Sequence, residues 1–308
     1  MKRNTKQLLP MILVFTIIAA AYSCRILAML DIGGVWMSYT RAALYLLLFS
    51  LWGYSLDRRI IQTQALHCLR LTAALMLVWL ILRTLKYEFV TDLTVARYIW
   101  YLYYLPMLFI PLLGVYIALT LGKSEEYRLT GKAGFLVAIP GILFLLVITN
   151  DLHQWVFAFK DGVPGRPVSS AFTHRLLYFV CLVWMVACIT FSLARLFRKS
   201  RIPGGARKRL TPFVLGCVTL LYGLLYLSGL PAVRWWFGDM NVMLCLLYAA
   251  LYESCIRCRM IPSNTGYAEL FEASTLAACI ADPDGQIILR SRAAGEDMGC
   301  PRSCRIRA

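Results

Sequence analysis

The residues best suited to chemistry in this sequence are few and lie far apart. Asp239 falls within an apolar stretch, whereas Asn150, Asp151 and His153 stand together where another apolar stretch ends. A carboxylate inside an apolar segment is costly unless it pairs with a cation or faces water. The position of Asp239 therefore predicts either an ion pair or a role in sensing a ligand or proton. Alternatively, the membrane span begins later in the sequence, and Asp239 lies above the membrane. Its candidate cation partners are Arg25, Arg41 and Arg97.

The group formed by Asn150, Asp151 and His153 has two interpretations. These side chains can cap a helix end and pack at an interface, or they can line the entrance to a ligand site. We expect no metal there, because one His beside one Asp provides too few ligands, and His174 follows with no spacing pattern that joins it to them. The three His residues of the chain are scattered, which also argues against a membrane enzyme.

Two cysteine pairs lie towards the C-terminus. Cys255 and Cys258 have the spacing of half a zinc site, and Cys300 and Cys304 form a second pair about 40 residues later. Nothing in the sequence predicts a folded context that joins the pairs, so we expect neither a metal site nor another cofactor. Acylation of the thiols next to the membrane is the better interpretation.

The composition places most of the chain in lipid. Of its 308 residues, 60% are apolar and 16% are charged, whereas a soluble protein has about 45 to 50% and 25%. The net charge of +16 comes from basic residues that gather in short segments between apolar runs. Such segments set topology and contact anionic lipid. We therefore expect membrane lipid, and no nucleic acid, as a partner.

Eight apolar runs have roughly the 20 residues that a helix needs to cross a bilayer. We predict an all-α fold, a polytopic transmembrane helical bundle of about eight spans. The first run resembles a signal peptide, but it is long and lacks small residues before a cleavage site, so we expect an uncleaved anchor. The predicted spans are 8–30, 39–56, 65–85, 98–121, 133–148, 176–196, 213–230 and 235–252.

The distribution of Lys and Arg predicts the orientation of these spans. The N-terminal segment, the even-numbered loops and the segment after the last span carry sixteen of them, against four in the odd-numbered loops when span edges are left out. Cytoplasmic loops are enriched in basic residues. We therefore expect a multi-pass cell-membrane protein with both termini in the cytoplasm.

Two segments outside the spans have the pattern of a β-hairpin. In the loop 150–174, an apolar run over 155–159 leads into a Lys-Asp-Gly turn, which predicts a small hairpin over the helix ends. After the last span, an apolar run over 276–281 precedes Asp282-Pro283-Asp284-Gly285 and a second run over 286–289, again a hairpin signal. The tail 293–308 has no periodic apolar pattern, and we expect it to be disordered.

The chain resembles the bacterial sensor histidine kinases with an N-terminal seven-helix membrane region, over residues 39–290. The resemblance rests on Ala96-Arg97-Tyr98-Ile99-Trp100, on Thr149-Asn150-Asp151-Leu152-His153 and on the segment 261–267 with the turn 282–285. It implies an added helix in 1–38, a sensor region in 39–259, a linker with an incomplete PAS-like start in 260–292 and a disordered tail in 293–308.

The resemblance also implies a function. A signal from outside the cell or from the membrane would be received at the outer face and passed through the last helix to a kinase, with a second copy of the chain as a candidate partner. The ligand-sensing candidates are Arg97, Asn150, Asp151, His153 and Asp239. No His follows His174 and few residues remain, so we expect no kinase catalysis in this chain, as in a truncated gene product. The alternatives are an eight-span transporter, another membrane protein or a non-functional gene fragment.

Overall fold

The computed structural model describes residues 2–120, 134–159, 172–199, 206–227, 229–258, 260–261, 263, 274–281 and 287–297. These residues form mainly α-helices. In chain order the helices are α1 (Lys2–Met29), α2 (Gly34–Arg59), α3 (Thr63–Thr84), α4 (Leu93–Leu102), α5 (Tyr104–Thr120), α6 (Ala138–Ile148), α7 (Asn150–His153), α8 (Leu176–Lys199), α9 (Ala206–Leu227), α10 (Pro231–Phe237), α11 (Met240–Arg257) and α12 (Arg292–Asp297). The strands are β1 (Phe157–Phe159), β2 (Phe172–His174), β3 (Cys279–Ala281) and β4 (Ile287–Arg290).

Each of the eight predicted spans coincides with one or two helices. Five helical segments of the described chain are long and apolar enough to cross a membrane: Pro10–Met29, Thr63–Phe89, Leu93–Thr120, Leu176–Leu196 and Leu210–Leu227. Helices α10 and α11 make a sixth if they count as one span bent by 65°. The remaining two segments form α2, whose mean hydropathy is lowered by Arg41 and by its Tyr and Ser residues, and the shorter apolar helix Phe135–Ile148.

Irregular turns interrupt the helices at places that the sequence explains. Helix α3 ends in a π-helical turn, Leu85–Phe89. Tyr103 separates α4 from α5, three residues before Pro106, which has no N–H to donate to the preceding turn. Asp92 caps the start of α4, where its carboxylate accepts hydrogen bonds from the backbone N–H groups of Thr94 and Val95.

The long helices run alternately up and down, so the bundle has two ends. We call the end that contains Asp239 the Asp239 end; there the side chain of Arg83 contacts Asp239, and that of Arg97 contacts Asp151. The opposite end, the Glu253 end, brings Arg59 to Glu253. Helix α11 is the element that connects Asp239, which precedes its first residue, to Glu253 in its last turn.

Helix α5 lies at the centre of the bundle and is buried along most of its length. It packs against α3 on one side and α8 on the other. Gly114 allows α11 to approach closely, since a β-carbon at this position would lie 3.0 Å from the Tyr252 hydroxyl. In contrast, the outer helices expose large apolar side chains, as at Phe15 and Val183. Such a surface suits contact with lipid.

Polar contacts hold the Glu253 end together. The Arg59 guanidinium donates two hydrogen bonds to the Glu253 carboxylate, at 2.7 and 3.0 Å, and Arg257 donates a third at 3.2 Å. In the turn between α2 and α3, Ile60 forms an isolated antiparallel bridge with Ser263. Ile261 is fully buried. The chain that leaves α11 is therefore docked against the α2–α3 turn.

Both predicted hairpin regions contain paired strands. β1 pairs antiparallel with β2, with Ala158 opposite Thr173, and β3 pairs antiparallel with β4, with Ile280 opposite Leu289. The predicted turns 160–162 and 282–285 lie outside the described residues.

The expectation of a disordered tail was wrong for its first residues. Residues 292–297 form α12, because the Ser291 hydroxyl accepts hydrogen bonds from the backbone N–H groups of Ala294 and Ala278. Ser291 thus caps the helix and fixes it to the β3–β4 hairpin. Residues 298–308 lie outside the described part of the chain.

We predict that Glu253→Ala lowers the free energy of unfolding by about 2 kcal/mol, because it leaves the partly buried Arg59 without its charge-assisted hydrogen bonds. The matched control is Asp57→Ala, which removes the exposed partner of Arg70 and should cost at most about 1 kcal/mol. The measurement is the thermal unfolding midpoint of each variant in detergent, compared with that of the parent chain. Equal shifts in the two midpoints would contradict this account of the Glu253 end.

Candidate functional site

The side chain of Asn150 organises the loop at the Asp239 end. It is fully buried. Its amide oxygen accepts hydrogen bonds from the backbone N–H groups of Val156 and Phe157, both at 3.0 Å, and its amide nitrogen donates to the Phe157 carbonyl at 3.0 Å. A single side chain therefore satisfies three backbone groups and fixes β1 to the end of α6.

Asp151 joins this loop to α4. Its carboxylate lies 2.7 Å from the Arg97 guanidinium and accepts a hydrogen bond of 2.7 Å from the Tyr101 hydroxyl. Arg97 and Tyr101 are four residues apart, so α4 presents both on one face. The Arg97 side chain is 4% exposed and that of Asp151 is 21% exposed. Few water molecules can thus screen this ion pair, which strengthens it.

Aromatic rings cover this group of polar side chains. The Phe157 ring lies 4.5 Å from that of Trp100 and is nearly parallel to that of Tyr101. His174 on β2 stacks against Tyr178 with ring centroids 3.9 Å apart. Partial burial lowers the pKa of His174, because removal from water disfavours the charged imidazolium. The loop is therefore held by apolar contacts as well as by hydrogen bonds.

His153 has a local role. Its Nδ1 accepts a hydrogen bond of 3.0 Å from the backbone N–H of Trp155, and its Nε2 lies 3.3 Å from the Thr149 hydroxyl. The first contact closes the turn that follows α7, and the second spans α7 itself. The capping interpretation of this segment agrees with the contacts of Asn150 and His153.

A second charged group surrounds Asp239, and we call it the Asp239 cluster: Arg41, Arg83, Lys86, Tyr87, Glu88, Tyr103 and Asp239. The Arg83 guanidinium lies 2.7 Å from the Asp239 carboxylate and 3.6 Å from that of Glu88. Arg41 lies 3.9 Å from Asp239. Arg83 and Tyr87 also form a cation–π contact of 5.2 Å. This cluster connects α2 and α3 to the start of α11.

Arg25 of α1 stabilises the break between α10 and α11. The Arg25 guanidinium donates hydrogen bonds to the carbonyls of Trp235 and Trp236, which belong to the last turn of α10 and have no partner within that helix. Gly238 follows with φ of 73°, and a β-carbon there would lie 2.8 Å from Arg25 Nε. The positive φ favours glycine at this position, and a larger residue would also displace the Arg25 side chain.

The structure brings some predicted site residues together and separates others. Arg97, Asn150 and Asp151 form one connected group, whereas Asp239 lies in the other cluster. Of the predicted cation partners of Asp239, Arg41 makes an ion pair. Arg25 contacts the neighbouring carbonyls instead, and Arg97 pairs with Asp151. Asp239 precedes the first residue of α11, so it lies at the helix break.

Sequence reasoning missed Arg83, Glu88 and Tyr101. Arg83 and Glu88 stand near the end of an apolar run, where charges mark the edge of a span and do not by themselves identify ion-pair partners. A signal was present, since the polar group Arg83, Lys86 and Glu88 closes a run that is otherwise apolar. Among the described residues, no three or more His, Cys, Asp or Glu side chains are grouped so as to hold a metal ion.

Comparison with protein families gives one match. The family described as the N-terminal 7TM region of histidine kinase matches residues 40–261. The chain therefore belongs to this family, and it is a membrane protein with several spans that carries the sensor region of a histidine kinase. Six of the eight predicted spans lie within the matched residues, a seventh, 39–56, begins one residue before them, and α1 precedes the match. Searches among curated proteins and among solved structures found no match.

We predict that Asn150→Ala lowers the free energy of unfolding by about 2 to 3 kcal/mol, because three buried backbone groups lose their partner. His153→Ala is the matched control, and since its contacts are exposed it should change stability by about 0.5 kcal/mol. Thermal unfolding in detergent measures both. If His153→Ala proved as damaging as Asn150→Ala, the loop would not depend on the buried amide.

Proposed function

We propose that the chain receives a signal at the Asp239 end, outside the cytoplasm, and passes it through α11 to a kinase at the Glu253 end. Membership of the family supports the role in a histidine kinase. The observation that carries the route is the path of α11, which leaves the Asp239 cluster and reaches the Arg59–Glu253 pair. Partners in this proposal are membrane lipid, a signal from outside or within the membrane, and a second copy of the chain.

The length of α11 makes it suitable for this transmission. Its 18 residues cover about 27 Å at a rise of about 1.5 Å per residue, which is close to the thickness of the hydrocarbon core. A rigid helix that shifts or rotates at one end moves at the other, as in other switching proteins. A change in the contacts of Asp239 would therefore reach Glu253.

The exit of the chain from the bundle supports the same route. Cys255, Ile256 and Ile261 are buried, and Ser263 is bridged to Ile60. The segment after α11 is thus held by the α2–α3 turn, so a movement of α11 relative to α2 would change the position of whatever follows. The β3–β4 hairpin lies beyond this point, and we propose that it begins a PAS-like domain.

The orientation in the proposal follows from charge. The sequence positions at the Glu253 end, from Lys2 and Arg3 to Arg58 and Arg257, are richer in basic residues than those at the Asp239 end. This distribution of charge supports a cytoplasmic Glu253 end.

One observation favours the alternative of a transporter. The last span is broken at Gly238 and Asp239, and transporters often have broken helices with polar groups at the break. In this chain, however, Asp239 belongs to an ion-paired cluster near one end of the bundle. The cavity between α5, α8 and α11 has a volume of about 20 Å³, which is room for about one water molecule.

Reporter fusions test the orientation. Alkaline phosphatase joined after Gly33 should be active, because the enzyme folds only outside the cytoplasm, and the same enzyme joined within 200–205 should be inactive. A fluorescent protein at the same two positions is the control, with the opposite result expected. Active phosphatase within 200–205 would reverse the proposed direction of signalling.

A chimera tests the function. The full chain is joined to the phosphoacceptor and ATP-binding modules of a characterised histidine kinase, and autophosphorylation is measured in membranes. Asp239→Asn should change the rate about fivefold or more, the scale of a typical coupling energy, because it weakens the pair with Arg83. Asp57→Asn is the control, and its rate should equal that of the parent chimera. An Asp239→Asn rate equal to the parent rate would contradict the proposal.

A further inference from the structure

We propose that the Asp239 cluster binds an anionic group, a carboxylate or a phosphate, and that Arg83, Lys86 and Tyr103 are the residues that contact it. This inference rests on the proposed function, since it names the chemistry of the signal received at the Asp239 end. Neither composition nor the family assigns a ligand to these residues.

The positive and negative charges of the Asp239 cluster do not balance. Arg41, Arg83 and Lys86 contribute three positive charges to the cluster, whereas Glu88 and Asp239 contribute two negative charges. The side chains of Arg41, Arg83 and Glu88 are 13%, 8% and 12% exposed. At such burial an excess charge is poorly stabilised by water. One additional anion would balance the cluster.

Two buried hydrogen-bond donors of the cluster lack acceptors. Arg83 is buried, and its Nε has no hydrogen-bond partner among the described residues. Tyr103 is 4% exposed, and its hydroxyl also lacks a partner; Asn241 lies beside it without a hydrogen bond of suitable geometry. Buried polar groups are nearly always paired, so an unpaired donor calls for an explanation. An oxygen atom of a bound ligand that accepts hydrogen bonds from these donors would explain them.

Lys86 contributes a further positive charge to the Asp239 cluster, and it has no carboxylate partner among the described residues. Its ammonium lies 4.9 Å from the ring centroid of Tyr87 and 5.7 Å from that of Tyr103. No described carboxylate lies within ion-pair distance of it. The two aromatic faces stabilise the charge only partly. Lys86 is therefore placed next to Tyr103 with donor capacity to spare.

The backbone at this position is unusual as well. Lys86, Tyr87 and Glu88 lie in the π-helical turn that ends α3. Such turns are rare and are frequently found at functional sites. The turn sets Arg83 and Lys86 around the Tyr87 ring, since the Arg83 guanidinium carbon is 5.2 Å from its centroid.

These donors suit the oxygens of a carboxylate or a phosphate. A guanidinium N–H, a hydroxyl and an ammonium all donate, and charge-assisted hydrogen bonds to an anion are the strongest of their kind. The Asp239 side chain is 32% exposed, so the cluster is accessible to solvent on the side where Asp239 lies. A bound anion would compete with Asp239 for Arg83, and it would thereby change the contact that holds the start of α11.

The experiment uses the full chain in nanodiscs of zwitterionic phosphatidylcholine, at constant ionic strength. Sodium phosphate and sodium acetate are titrated separately, and the thermal unfolding midpoint is followed. A third arm replaces part of the lipid with anionic phosphatidylglycerol. Saturable stabilisation by phosphate or acetate indicates a soluble anion. Stabilisation by the anionic lipid alone indicates a lipid headgroup.

Two variants and a control make the test specific. Lys86→Gln and Tyr103→Phe should each raise the half-saturating anion concentration about tenfold, the effect of losing one charge-assisted or buried hydrogen bond. Arg70→Gln, which removes an exposed cation of the same helix, should leave it unchanged. The site is wrong if neither the soluble anions nor the anionic lipid stabilises the parent saturably, or if both variants respond as the parent does.

The chimera separates failure of the site from failure of the proposed function. If anions bind and the variants weaken binding, but autophosphorylation does not respond to the anion or to Asp239→Asn, the site stands and the sensor function fails. If Asp239→Asn alters autophosphorylation while no anion binds, the function stands and the site fails.

Discussion

Buried and partly buried cations that need counter-charges are the constraint on which this structure depends. Arg59, Arg83 and Arg97 are part of helices whose surroundings are mainly apolar, and each lies against a carboxylate at 2.7 Å. A guanidinium in such surroundings is unstable without a partner. Each pair joins helices that are distant in sequence, so the ion pairs fix which helix ends meet, while apolar packing around α5 supplies most of the burial.

Two of these pairs bear on one helix. Asp239 connects the start of α11 to Arg83 on α3, and Glu253 connects its last turn to Arg59 on α2. The chain that follows is docked on the α2–α3 turn through Ile261 and Ser263. In the proposed function, α11 is thus a rod with one polar contact at each end. An anion that competes for Arg83 would alter the Arg83–Asp239 contact. The Arg59–Glu253 contact lies next to the point where the chain leaves the bundle.

Much of the fold could be predicted from the sequence, because apolar runs of the right length leave a chain in lipid few choices other than a helix. The Arg97 motif and the Asn150-Asp151 motif were each identified by resemblance to a family, and no contact between them was predicted. That Arg97 binds Asp151 could not be predicted, since Asp239 was an equally good partner by topology. Arg83 and Glu253 could not be identified as ion-pair partners from the sequence, because a charge near the end of an apolar run is expected whether or not it has a partner.

The short irregular elements of the fold could not be predicted from the sequence either. The π-helical turn at Lys86 depends on tertiary contacts, and no residue type identifies it. The start of α12 depends on Ser291, whose hydroxyl bonds to both the hairpin and the helix, a combination that an aperiodic tail does not reveal. The strand β2 was not located in advance, because its three residues gain their order from pairing with β1 and from the rings of Phe157 and Tyr178.

The central claim is that α11 connects the two ends as one rigid element. Hydrogen–deuterium exchange of the full chain in nanodiscs, compared between the parent and Asp239→Asn, tests it most directly. Glu253 lies fourteen residues beyond Asp239, or about 21 Å along the helix. The account predicts faster exchange at residues 253–261 as well as around residue 239. Faster exchange confined to the residues around 239 would show that the two ends are not connected, and would contradict it.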